Sequence, residues 1–308
     1  MAFYSQDPNL GELLTANLAE LTEQTPGDLS ELSVTWLVYS SSPLDLAASI
    51  SEADFWQMPQ AGASHLGRQL RYPASVVKLF YAAAVESWLA RDLLLEGAEL
   101  RRAFGAMLRD SSNDATSLVV DLLTGTSSGS ELPADPFNSW VRQRQLINQW
   151  FEGLAWPEWD GCNVCQKTWT DGPYGREQQF YGSNKENRNR LNTDVTARLL
   201  HGVIAGAWQS PLASARIRAA LSRSLDKSER LSDPENQVDG FLGEGLAEGS
   251  CLWSKAGWMS KARHDAAYCE VPDCAPFLLV AFSEGSSWAA DNQFLPALAR
   301  RLSESLKR

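Results

Sequence analysis

Residues 71–85 read RYPASVVKLFYAAAV, an apolar run broken by Ser75 and Lys78. Side chains three positions apart are neighbours on a helix, so a helix from about 75 to 91 places the hydroxyl and the amine within reach of each other. Val76, Val77, Leu79, Phe80, Ala83, Ala84 and Trp88 supply its apolar residues, and Pro73 stands ahead of its start. At such a start the backbone N–H groups are free and the helix dipole favours a developing anion. A serine ahead of an apolar helix is equally an N-cap, and a lysine there a snorkelling surface residue. Spacing alone does not separate these readings, because Ser224 and Lys227 repeat it in a polar setting with no apolar run behind them.

Two further stretches change the balance. RDSSNDATSLVVDLLTG (109–125) sets Ser111 and Asn113 just before an apolar helix, and LWSKAGW (252–258) sets Lys255, Ala256 and Gly257 on an expected strand. Singly, Ser111 and Asn113 are turn or cap residues and Lys255 an edge-strand charge. In chain order, however, Ser-x-x-Lys, Ser-x-Asn and Lys-Ala-Gly resemble the three motifs of serine β-lactamases and penicillin-binding proteins, and are most similar to the class A β-lactamase-like hydrolases. NTDVTARLLHGVIAG (192–206) resembles the helix after their Ω-loop, and residues 252–285 resemble their last strands. The similarity covers most of 30–305 and is weak in 125–190.

The resemblance implies a task for each residue. A serine hydroxyl is a poor nucleophile until a base takes its proton, and Lys78 can be that base for Ser75 only when burial and nearby cations depress its pKa. Ser111 would relay a proton to the leaving nitrogen, and Asn113 would hydrogen-bond the substrate's acyl-amide. Lys255 would be the second cation and hold a substrate carboxylate. Ala256 and Gly257 would continue the strand on which substrate lies, and the N–H of Trp258 with that of Ser75 would form an oxyanion hole.

Two departures from the class A pattern follow. Ser75 and Ser111 are closer in sequence than in that pattern, so one wall of the site is expected to be missing. The Ω-loop glutamate that activates water for deacylation has its counterpart in REQQFYG (176–182), where Glu177 is the candidate and Glu186 the competitor, with Phe180 and Tyr181 replacing Leu-Asn. Glu177 is equally a solvated loop residue. Without a glutamate the acyl-enzyme would persist, as in a penicillin-binding D-Ala-D-Ala peptidase or esterase-like hydrolase. A non-catalytic binding descendant is the third reading.

The 308 residues are 44% hydrophobic and 21% charged, enough for a sizeable core. A net charge of -11 excludes a surface built for nucleic acid or anionic lipid, which needs clustered Lys and Arg. No apolar run is long enough to span a bilayer. The expected partner is therefore a small-molecule substrate, with no nucleic acid and no membrane, and the chain is expected to be a monomer. No metal or organic cofactor is implied: Cys162 and Cys165 form the only Cys-x-x-Cys, without a second pair at zinc-site spacing. The first residues lack a secretory signal pattern, so a cytoplasmic location is the default, and a periplasmic one if a signal has been removed. In the cytosol Cys269 and Cys274 are expected to be free thiols; after export they could bridge.

Hydrophobic periodicity predicts helices over 8–24, 98–108, 114–124, about 137–154, 193–207 and 211–225, and one from 286 or 287 to the end. Strands are predicted at 32–42 and as a meander over 248–258, 264–271 and 275–285. Residues 156–192 read as one long irregular stretch. The expected fold is α+β: an antiparallel sheet built from the N- and C-terminal segments with helices on its faces, plus an all-helical subdomain. One domain over 1–308 is expected, with an α/β part at about 1–72 and 210–308 and a helical part at about 73–209.

Overall fold

A computed structural model describes residues 3–23, 27–44, 46–233 and 235–307. Its strands are β1 (Tyr4–Gln6), β2 (Leu32–Val38), β3 (Gln60–His65), β4 (Ser222–Arg223), β5 (Cys251–Met259), β6 (Ala262–Glu270) and β7 (Phe277–Glu284). The first helices are α1 (Pro8–Thr22), α2 (Glu52–Trp56), α3 (Lys78–Leu89), α4 (Ala98–Arg109), α5 (Asn113–Thr124), α6 (Ala134–Arg144), α7 (Leu146–Gly153) and α8 (Arg176–Tyr181). The later ones are α9 (Thr193–Ile204), α10 (Pro211–Leu221), α11 (Lys227–Ser232), α12 (Ser286–Ala290) and α13 (Phe294–Glu304). The chain divides into two compact units, Met1–Val76 with Asn192–Arg308, and Val77–Leu191.

In the first unit the strands lie in the order β1-β3-β2-β7-β6-β5-β4. All neighbours are antiparallel except β1 and β3. The N-terminal and C-terminal strands join where β2 pairs with β7, from Leu32 opposite Ser283 to Val38 opposite Phe277. One face of β2 carries Leu32, Val34 and Trp36 into a core with Leu10, Leu14 and Leu18 of α1 and Leu295, Leu298 and Leu302 of α13. The other face presents Thr35, whose Oγ1 lies 2.7 Å from Asp194 Oδ1 and 2.8 Å from Thr193 Oγ1. That contact docks α9 on the sheet, so α9 belongs with the strands, although the sequence had grouped it with the helical part.

The sheet has three strands that periodicity did not reveal. β3 reads QAGASH, without a β-branched residue, and its place between β1 and β2 depends on close packing: a Cβ at Gly62 would lie 2.7 Å from Leu37 Cδ2 and 2.8 Å from Trp36 O. β1 and β4 are too short to show alternation. The expected C-terminal helix is divided into α12 and α13, and the one at 137–154 breaks at Gln145 between α6 and α7.

In the second unit α3 is apolar on every side and buried from Lys78 to Trp88, packing against α4 and α5. The long stretch before α9 is not featureless. It contains α8, and a backbone pair between Asn163 and Arg190, 2.8 Å in both directions, closes its neck.

Candidate active site

In the second unit Lys78 opens α3 with its amine buried. Nζ donates to Ser111 O at 2.5 Å, Ser111 Oγ at 3.2 Å and Asn113 Oδ1 at 2.9 Å. All three acceptors are neutral, and burial alone pushes the Lys78 pKa down to about 7. The turn before α5 is made for this arrangement. Ser111 sits at φ 55°, in the left-handed region, while Ser112 is the residue that caps α5, accepting from Ala115 N at 3.1 Å. The Ser111 hydroxyl is therefore not consumed by helix capping.

In the first unit Ser75 lies in a 3₁₀ turn, Ala74–Val77, entered through Ala74 at φ 45°. A non-glycine residue in that region stores strain of the kind found at functional turns. Ser75 is half-buried, and the helix that follows has no side-chain cap, which disposes of the N-cap alternative. β5 passes directly against this turn: a Cβ at Gly257 would lie 2.8 Å from Ser75 N and 3.0 Å from Pro73 O. β4 pairs with β5 only at Leu252 and Trp253, so Lys255–Met259 has an edge that no described strand covers.

On that strand Lys255 is fully buried, donating to Gln237 Oε1 at 2.5 Å and to Ala256 O at 2.7 Å. Gln237 Oε1 also accepts from Ala256 N at 3.2 Å, so a single amide clamps the motif. Trp258 is 60% exposed, its indole N–H donating to Ala289 O at 3.0 Å. His264, opposite Gly257, is structural: Nε2 donates to Tyr72 O at 2.8 Å and Nδ1 accepts from Ser283 N at 2.9 Å. Asp265, opposite Ala256, is buried with Oδ1 lacking a hydrogen-bond partner, and burial raises its pKa to about 7.

Glu177 has partners that the sequence did not indicate. It is fully buried on α8, where both carboxylate oxygens meet the Arg144 guanidinium at 2.8 Å. Ser128 Oγ donates to it at 2.9 Å, and Lys167 Nζ lies 3.5 Å away. Lys167 also pairs with Asp121 at 2.8 Å. The structure thus brings Lys78, Ser111 and Asn113 together and holds Glu177 in a buried ion network with Arg144, Ser128 and Lys167. Glu186 is exposed.

Residues that motif spacing missed are Gln237, Arg144 and Thr168, whose Oγ1 donates to Asn113 Oδ1 at 2.7 Å. Arg144 lies on a helix rich in polar residues and reads as a solvated charge; the other two lie in irregular segments without a pattern.

Residues 97–306, more than half of the chain, match the model of the Beta-lactamase enzyme family. The chain belongs to the β-lactamase enzyme family. Solved structures agree on the β-lactamase/transpeptidase fold. PBP-A is 13% identical, with a TM-score of 0.63 over 98% of this chain and 97% of its own. A β-lactamase from Xanthomonas campestris pv. campestris is 18% identical, with a TM-score of 0.59 over 96% and 98%. An ancestral class A β-lactamase is 16% identical, with a TM-score of 0.61 over 95% and 100%. No curated protein matches in sequence. The family match begins after Ser75 and Lys78, so the Ser-x-x-Lys motif of this β-lactamase-family chain stands on its own residues.

Proposed function

We propose that the chain is a serine hydrolase of the β-lactamase family that accepts the acyl group of a β-lactam or related amide on Ser75 and releases it slowly. The observation that carries this is the Lys78 amine, buried, surrounded by neutral acceptors and three residues after Ser75 in the sequence. Neutral Lys78 takes the Ser75 hydroxyl proton as Oγ bonds to the lactam carbonyl carbon. The carbonyl oxygen becomes an oxyanion, for which the N–H groups of Ser75 and Trp258 are the proposed donors. When the ring C–N bond breaks, the nitrogen receives the proton from Lys78 through the Ser111 hydroxyl. Asn113 donates to the acyl-amide carbonyl, and Lys255 is the proposed partner of the substrate carboxylate.

Slow release follows from the commitment of Glu177 to Arg144, which favours penicillin-binding behaviour over rapid turnover. A variant of PBP-A, similar in fold, has been solved as an acyl-enzyme with penicillin G. The test is incubation with benzylpenicillin followed by intact mass measurement, on the wild type and on Ser75→Ala. A persistent adduct of one penicillin, mapped to Ser75 and absent from the variant, is the expected result. Rapid hydrolysis with no accumulated adduct overturns slow release. Complete failure to label or hydrolyse leaves the non-catalytic descendant.

A further inference from the structure

We propose that Thr168 is a positioning residue that aims the Asn113 carboxamide at the substrate's acyl-amide, so that the stretch 164–170 tunes which acyl donors react. This rests on the proposed acylation of Ser75, but its geometry lies wholly within the second unit. Asn113 Oδ1 has two lone-pair directions, and two donors fill them: Lys78 Nζ at 2.9 Å and Thr168 Oγ1 at 2.7 Å. A flipped amide would turn its N–H groups onto these two donors, so the nitrogen is held on the opposite side. There, among the described residues, Nδ2 has a single long contact, 3.4 Å to Thr170 Oγ1, and keeps hydrogen-bonding capacity for a ligand. Lys78 alone would fix one point of the carboxamide and leave it free to swing. The second donor fixes its plane.

Thr168 is itself held in place from residue to residue. Val164 N donates to Asn148 Oδ1 at 2.7 Å and Gln166 N to Asn189 Oδ1 at 2.9 Å, while the Tyr81 hydroxyl donates to Gln166 O. Next to Thr168, Lys167 is anchored on Asp121 and Ser128, both at 2.8 Å. The buried ion network that holds Glu177 thus carries, through Lys167, the hydroxyl that orients Asn113. Thr168 is nearly buried and acts through Asn113 rather than on the substrate.

The test compares Thr168→Val, which keeps the shape without the hydroxyl, with Thr168→Ser, which keeps the hydroxyl. Acylation of Ser75 is measured with benzylpenicillin, which carries an acyl-amide, and with 6-aminopenicillanic acid, which does not. Thr168→Val should slow benzylpenicillin by about tenfold, the value of one hydrogen bond, and leave 6-aminopenicillanic acid within about twofold. Thr168→Ser should restore the benzylpenicillin rate. Equal slowing of both substrates, or of neither, overturns the proposal. A second readout needs no substrate: the side-chain amide order of Asn113, from ¹⁵N relaxation, should fall in Thr168→Val and return in Thr168→Ser. Unchanged order in Thr168→Val overturns the proposal whether or not Ser75 is ever acylated, whereas loss of order with an unlabelled wild type condemns only the proposed function.

Discussion

Lys78 has lost its solvent and has no acid among its described partners, so its depressed pKa has one cause and one sign. As a base it must be neutral, and acylation of Ser75 should therefore rise with pH along a limb centred near 7, the value to which burial lowers the amine. A pH–rate profile of penicillin labelling from acid to mildly alkaline conditions measures this; a flat profile removes Lys78 as the base. The same burial costs stability. Between the folded pKa near 7 and the ordinary value of 10.5 the unfolded chain holds a proton that the native one has released, so stability rises with pH across that window. Below it the cost of a buried ammonium is present in full. Lys78→Met should then raise Tm at neutral pH, by roughly 2–4 °C for each kcal/mol recovered, while lowering acylation by about 10²–10⁴. Stabilisation together with inactivity is the signature of a functional charge. A fall in Tm would mark Lys78 as part of the core.

At the scale of elements, the motifs were legible because each is local: Ser75 and Lys78, Ser111 and Asn113, and Lys255 and Gly257 are two or three residues apart. What was not legible depends on contacts distant in sequence. Arg144 reads as a solvated residue of α6 until α8 brings Glu177 onto it, and Thr168 carries no pattern until the neck at Asn163 and Arg190 closes. The glutamate identified by counting back from α9 meets a guanidinium arriving from α6, a contact that counting along the chain cannot see. Glu177→Gln should accordingly act on stability, not on deacylation. It leaves Arg144 and Lys167 with Asp121 as their remaining acid in the network and should cost about 3–5 kcal/mol, read as a lower Tm, with the adduct's lifetime unchanged. A trapped adduct at unchanged Tm would return Glu177 to the mechanism. β5 gives the complementary case. At Gly257→Ala the new methyl meets Ser75 N at 2.8 Å, so β5 must withdraw from the Ser75 turn. Acylation should fall by about 10², the loss of an oxyanion donor. Wild-type acylation in this variant would show that the approach of strand and turn is not used.

For the whole molecule, the sheet is sewn from both ends of the chain, and two buried histidines stand at its seams. His264 ties β6 and β7 to the backbone just before the Ser75 turn. His201, on α9, stacks on Phe55 with ring centroids 4.7 Å apart and shares a hydrogen bond at Nδ1 with the Tyr39 hydroxyl at 3.0 Å. Burial pushes His264 down to about 4 and His201 to about 3, and at His264 protonation would also turn the Nδ1 acceptor into a donor facing the Ser283 N–H. Both are lowered from 6.5, so the unfolded chain binds protons first, and stability falls as pH drops through 6.5 toward these values. Net charge alone argues the opposite: from -11 at pH 7 it shrinks toward zero near the pI of 4.8, where self-repulsion is least. Asp265, raised to about 7, also gains stability as pH falls, so the wild-type curve mixes signs. A difference measurement separates them. His201→Phe keeps the aromatic stack and cannot titrate, so its stability relative to wild type should improve by about 1.4 kcal/mol for each pH unit below 6.5 until pH nears 3. Denaturant unfolding of the two proteins at a series of pH values gives that slope directly. Parallel curves would mean that His201 is as easily protonated in the folded molecule as in the unfolded one, and that this seam does not set the acid limit of the fold.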